Sequence, residues 1–134
     1  MFFMSQNRNE ILVKSFIQAY AKGDTVKLKS MLSDKLEFYV TNAQGQVDLL
    51  NGSNSFIQNV IDIGVKSVSP TIKIKQITSI RKNQVMCMVE VKAERKNKKL
   101  HNFAAFLIHI LQNEITEVRM VEALPKKSDE FWKD

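Results

Sequence analysis

With 134 residues and 44% hydrophobic content, the chain falls at the size of one domain and carries enough apolar material for a core. Its single cysteine, Cys87, excludes an internal disulfide framework and agrees with a reducing, cytoplasmic setting; residues 1–4 are apolar but too few for a secretory core, and no later run approaches a membrane span. The formal charge of +6 raises an acidic partner, yet Lys92, Arg95, Lys96, Lys98 and Lys99 gather at an expected hairpin tip without the interleaved aromatics of a nucleic-acid groove, so nucleic acid is disfavoured.

A first helix is predicted from about residue 7 to residue 22. Leu12, Val13, Phe16, Ile17 and Tyr20 follow the helical repeat as one apolar stripe. Asn7 and Glu10 have capping-box spacing, and Gly23 is placed to end the helix in the left-handed conformation. Asp24 then caps a second helix, with Leu28, Met31 and Leu32 on one face. From Leu36 the period changes to two, setting Leu36, Phe38 and Val40 against Glu37, Tyr39 and Thr41. Asn42 to Gly45 is a turn signal. Asn51 to Ser53 leads into a third helix, whose Phe56, Ile57, Val60, Ile61 and Ile63 make an apolar face before Gly64.

Four alternating segments follow, roughly 71–80, 85–94, 100–111 and 115–124. The short turns between them are those of an antiparallel meander. Ile72, Ile74, Ile77 and Ile80 slip out of strict alternation, which predicts a bulge near Gln76. The expected fold class is α+β: a single cone-shaped domain over residues 1–134, three N-terminal helices packed on a curved, mainly antiparallel sheet.

The helix from Phe16 through the Lys22, Gly23, Asp24 turn, the entry into the first strand over Leu32 to Val40, and the last strand from Ile115 to Leu124 together resemble the nuclear transport factor 2-like superfamily. More narrowly, they resemble its SnoaL-like and ketosteroid-isomerase-like branch. The resemblance covers nearly the whole chain and implies a pocket inside the cone, but it does not fix the chemistry done there. Ketosteroid isomerases use an aspartate base, with a tyrosine and a protonated aspartic acid as oxyanion donors. Ungapped matching puts the donor tyrosine at Phe16, the base at Tyr39 and the protonated acid at Phe106, so isomerisation by that triad is not expected. The same matching turns Asn102, Ala104, Phe106 and Ile108 toward the pocket, beside Val118, Met120 and Glu122.

Glu122 is the candidate catalytic residue. Set in an apolar wall, its carboxyl would have a raised pKa suited to acid-base work; set at the cone mouth, it would sit in water or pair with a lysine. Tyr20 and Tyr39 are candidate hydrogen-bond donors, so the expected ligand-binding pocket comprises Phe16, Tyr20, Tyr39, Asn102, Phe106, Val118, Met120 and Glu122. His101 and His109 lie about 26 Å apart at ~3.3 Å per residue, too far for one metal ion, and share the outer sheet face with Phe103, Ala105 and Leu107. Cys87 alternates with Val85, Val89 and Val91 as a buried hydrophobe.

With no phosphate-cradling glycine loop, nucleophile elbow or metal-ligand cluster, no cofactor and no metal are expected. Phe131 and Trp132 should dock on the sheet edge or on a partner subunit. The leading function is binding of a small, largely apolar or amphipathic molecule by a homodimer joined through the outer sheet face. The alternatives are a cofactor-free isomerase, cyclase or dehydratase, and a protein-interaction or scaffold dimer without ligand.

Overall fold

The computed structural model describes residues 2–133, with side chains from residue 8 onward. Helix α1 (Phe2–Lys22) starts ahead of the predicted residue 7, because no glycine or proline interrupts the chain before Lys22. The side chain of Asn7 lies outside the described residues. Glu10, the other half of the predicted capping box, accepts instead from the hydroxyl and amide of Ser79 at 2.7 and 3.2 Å. Asn9, which is buried, donates to the Lys82 carbonyl at 3.0 Å. These contacts fasten the helix to the third strand, while Val13, Phe16 and Ile17 bury its apolar stripe.

The helix ends at Gly23, φ +63°, where the Gly23 amide donates to the Tyr20 carbonyl at 3.0 Å and the Asp24 amide to the Ala19 carbonyl at 2.9 Å. Asp24 caps α2 (Thr25–Met31), its carboxylate accepting from the Lys27 amide at 3.1 Å. Strand β1 (Leu32–Thr41) then turns through Asn42 to Gly45 into β2 (Val47–Asn51). This strand is missing from the predicted elements for a physical reason: at the sheet edge only Leu50 is even partly buried, so no alternation marks it. In α3 (Ser53–Ile63), Phe56 and Val60 are buried, whereas Ile61, predicted on the same face, points to solvent and is 55% exposed. Gly64 ends α3 at φ +77°, and a single turn, α4 (Val65–Val68), follows.

Strands β3 (Thr71–Arg81), β4 (Gln84–Arg95), β5 (Lys98–Leu111) and β6 (Glu114–Glu122) form the expected meander, with the register shift between Ile74 and Gln76 that the isoleucine spacing predicts. The sheet has six strands in the order β2-β1-β6-β5-β4-β3. It is mixed, because β6 inserts beside β1 in parallel while every other pair is antiparallel. A last helix, α5 (Pro125–Trp132), returns onto β5.

The core lies between the helices and one face of the sheet. The Phe56 ring sits 4.7 Å from Phe38, 6.0 Å from Phe16 and 6.2 Å from Tyr20, joining α3, β1 and α1 in one aromatic cluster. The opposite sheet face keeps Met86, Met88, Phe103 and Val121 between 41% and 53% exposed. Among the described residues, no helix is long and apolar enough to cross a membrane.

A Cβ at Gly23 would stand 2.7 Å from the Lys66 backbone, whereas one at Gly45, φ +78°, would meet nothing within 4 Å. Gly45→Ala should therefore lose only the left-handed strain of about 1–2 kcal/mol. Gly23→Ala should lose clearly more, since α4 must also move. Urea midpoints of the two variants check this; equal losses would contradict it.

Candidate functional site

Between the helices and the sheet lies a cavity of about 330 Å³. Its walls are mostly apolar, with Phe16 and Tyr20 from α1, Phe56 from α3, and Val89, Ala104, Phe106 and Met120 from the sheet. The space exists because small or polar side chains replace bulk along β5. Ile108 and Ile110 fill the inner face at one end, Asn102 and Ala104 occupy the other, and the sheet cannot collapse onto the helices to close the difference.

The polar end is organised by Asn102, which is 1% exposed. Its Nδ2 donates to Glu122 Oε2 at 3.1 Å and to the Leu124 carbonyl at 3.2 Å. Its Oδ1 accepts from the Phe103 amide at 2.9 Å and the Leu124 amide at 3.0 Å. All four hydrogen-bonding positions of the amide are thereby used. Asn102 lines the cavity as expected, yet it holds the backbone and Glu122 in place and has nothing left to offer a ligand.

Glu122 lies half-buried on the cavity wall, at the register position of Ala104. Burial pushes its carboxyl pKa above the ordinary glutamate value; a hydrogen bond from Ser128 works in the opposite sense, and the nearby Asp129 adds to the rise. Burial also pushes the Tyr20 phenol up to about 12, with the Glu122 charge contributing. The pair therefore offers a neutral phenol near a carboxyl whose pKa lies above the ordinary glutamate value.

The other predicted pocket residues divide by strand parity. Phe16, Phe106 and Met120 line the cavity. Val118 is on the same sheet face but fully buried in the core, packed where Phe38 and Ile108 meet it in register. Tyr39 is a correction. Alternation turns it to the outer face, where the Arg119 guanidinium sits 4.2 Å above its ring. Both histidines also lie on that outer face, with His101 Nε2 2.6 Å from Glu90 Oε2, a contact that holds the Glu90 carboxyl below its usual range. Burial raises the Cys87 thiol to about 11, which leaves it protonated and unreactive.

The predicted pocket omitted much of the lining, including Phe56 and Asn59 from α3, and Ser128, Asp129 and Trp132 from α5. Helical spacing from Phe56 could have found Asn59. The aromatic tail signalled docking, and the chain satisfies it on itself: Phe131 is buried and Trp132 forms part of the cavity wall. The basic hairpin tip completes this cover. Lys98 Nζ donates to the carbonyls of Lys133 and Glu130 at 2.9 and 3.0 Å, and Arg95 Nη1 reaches those of Trp132 and Ile63 at 3.5 Å. Cations thus sit on the C-terminal end of α5, where the helix dipole favours them.

The raised Glu122 pKa makes a sign-definite prediction. Between the ordinary glutamate pKa and the raised one, the folded protein keeps a proton that the unfolded chain has lost, so this group's contribution to stability falls as pH rises through that window. Glu122→Gln removes the titration and keeps an acceptor for Asn102. Its melting temperature should exceed that of the parent at about pH 8, and the difference should shrink toward about pH 4. A difference independent of pH would contradict the assignment.

No family model matches the chain. The uncharacterized protein Rv0034 of Mycobacterium tuberculosis is 22% identical over 130 residues, covering 96% of this chain and 99% of that protein. Among solved structures, Bal32a from a soil-derived mobile gene cassette superposes with a TM-score of 0.81 at 15% identity, covering 96% of this chain and 99% of Bal32a. A Mycobacterium tuberculosis LEH-like epoxide hydrolase gives 0.75 at 13% identity, with 94% and 90% covered. An NTF2-like protein of unknown function from Cytophaga hutchinsonii gives 0.65 at 16% identity, with 87% and 90% covered. With N-terminal helices on a six-stranded mixed sheet and these structural neighbours, the chain has the nuclear transport factor 2-like fold.

Proposed function

We propose that the chain binds a small, largely apolar molecule in the cavity between its helices and its sheet. The carrying observation is the cavity itself, about 330 Å³ of mostly apolar wall with Tyr20, Asn59 and Glu122 grouped as polar contacts. That combination of volume, lining and few polar groups is typical of small-molecule sites. Tyr20 and Glu122 orient the ligand, with Asn102 fixing Glu122 from behind.

A second reading, cofactor-free proton transfer, draws on the proximity of the Glu122 carboxyl to the Tyr20 phenol, and an epoxide hydrolase is among the structural neighbours. Ala104→Phe builds a ring into the cavity and should weaken any ligand found by thermal-shift screening at least about tenfold, roughly 1.4 kcal/mol, with the far-ultraviolet circular dichroism unchanged. Undiminished binding would place the ligand elsewhere. For a turned-over ligand, Glu122→Gln should abolish conversion; retained conversion would remove Glu122 from the chemistry.

The assembly belongs to the same proposal. Two copies meet through the outer sheet face, because Met86, Met88, Phe103 and Val121 form an exposed apolar surface continuous across β4, β5 and β6. Light scattering at high micromolar concentration should give twice the 15.4 kDa chain mass, and Met88→Glu should return it to a monomer. A monomeric parent protein would reject the dimer and leave the cavity untouched.

A further inference from the structure

The chain is basic, yet the charged residues lining its cavity are Asp48, Glu122 and Asp129; among the described residues no lysine, arginine or histidine lines it. Three of the nearby cations are directed elsewhere, and a fourth pairs with a lining carboxylate. Arg95 and Lys98 are set on the carbonyls at the end of α5, and Arg119 covers the Tyr39 ring on the far face of the sheet. Lys133 reaches Asp129 at 3.6 Å from the helix surface.

Hydrogen-bonding capacity has the same bias. Both donors of Asn102 are used and Ser128 bonds to Glu122, so beside the carboxylates the cavity lining offers neutral donors, the Tyr20 phenol and the Asn59 amide, and no cationic one. An anionic guest would meet like charge with no cation in the lining to offset its lost hydration. A guest with a positively charged donor head would meet carboxylates in a wall that also contains the aromatic residues Tyr20, Phe106 and Trp132.

Resting on the ligand-binding reading above, we infer that the cavity selects an amphipathic amine: an apolar body lying against the aromatic wall and a protonated amino head set on Glu122. Glu122 is the specificity-determining contact, since it is the carboxyl held in fixed position by a buried side chain. Asp129 adds negative charge from α5, its exposed carboxylate already paired with Lys133 at 3.6 Å. A bound ammonium would also hold the Glu122 carboxyl in its ionised form, offsetting the effect of burial.

The test is a matched series sharing one apolar body, 4-phenylbutylamine, 4-phenylbutan-1-ol and 4-phenylbutanoate, titrated at neutral pH and followed by nuclear magnetic resonance shifts, which also locate binding. The amine should bind at least about tenfold more tightly than the alcohol, with the carboxylate weakest. Glu122→Gln should narrow the amine-to-alcohol ratio to within about threefold, and Asp129→Asn should narrow it in the same direction. Equal affinities in the series, a preference for the carboxylate, or a ratio unchanged in both variants would overturn the charge selection while leaving the ligand-binding reading standing. Absence of cavity shifts with all three would overturn both.

Discussion

One buried amide governs the polar half of this molecule. Asn102 spends two donors and two acceptors on Glu122, Phe103 and Leu124, so a single side chain fixes the carboxyl on the cavity wall and the point where α5 leaves the sheet. A buried amide with all its partners is rigid, and a buried amide missing any of them is costly by about 1–3 kcal/mol per orphaned group. The position therefore tolerates little change, although it touches no ligand. Cover and carboxyl are coupled through it: a displacement of α5 at Leu124 also loosens Glu122.

The apolar half depends on a different device. Phe56 packs against Phe38, Phe16 and Tyr20, and this cluster sets the separation of the helices from the sheet. Where the sheet presents Ile108 and Ile110 the gap is filled; where it presents Asn102 and Ala104 the same separation leaves a void. The cavity is thus the product of a taper in side-chain volume along one strand, working against a fixed aromatic prop.

Periodicity made most of this architecture legible in the sequence. The α1 stripe, the Gly23 stop, the Asp24 cap, the four-strand meander and the bulge near Gln76 each follow from local rules that the packed structure leaves in force. Strand β2 escaped because an exposed edge strand needs no alternating pattern, and α5 because its short polar sequence shows only two aromatics that must dock somewhere. Matching along the last two strands put Phe106, Met120 and Glu122 on the sheet face that lines the cavity, whereas the alternation of the first strand sets Tyr39 on the other face. The role of Asn102 was illegible, since its partners at Glu122 and Leu124 come from another strand and the turn beyond it, and local pattern carries no information about such a meeting.

The parallel pairing of β1 with β6 has a consequence for how the chain reaches this state. Phe38 meets Val118 across most of the length of the sequence, so the first strand and the last must find each other after everything between them has been made. In the strand order, β6 alone joins the β1–β2 hairpin to the β3–β4–β5 meander; without it each would present an open edge. Closing that long loop is entropically late, and contacts of such separation slow folding. Strand β6 is thus the single link between the two halves of the sheet, and it is supplied by residues 114–122, close to the C-terminal end of the element order.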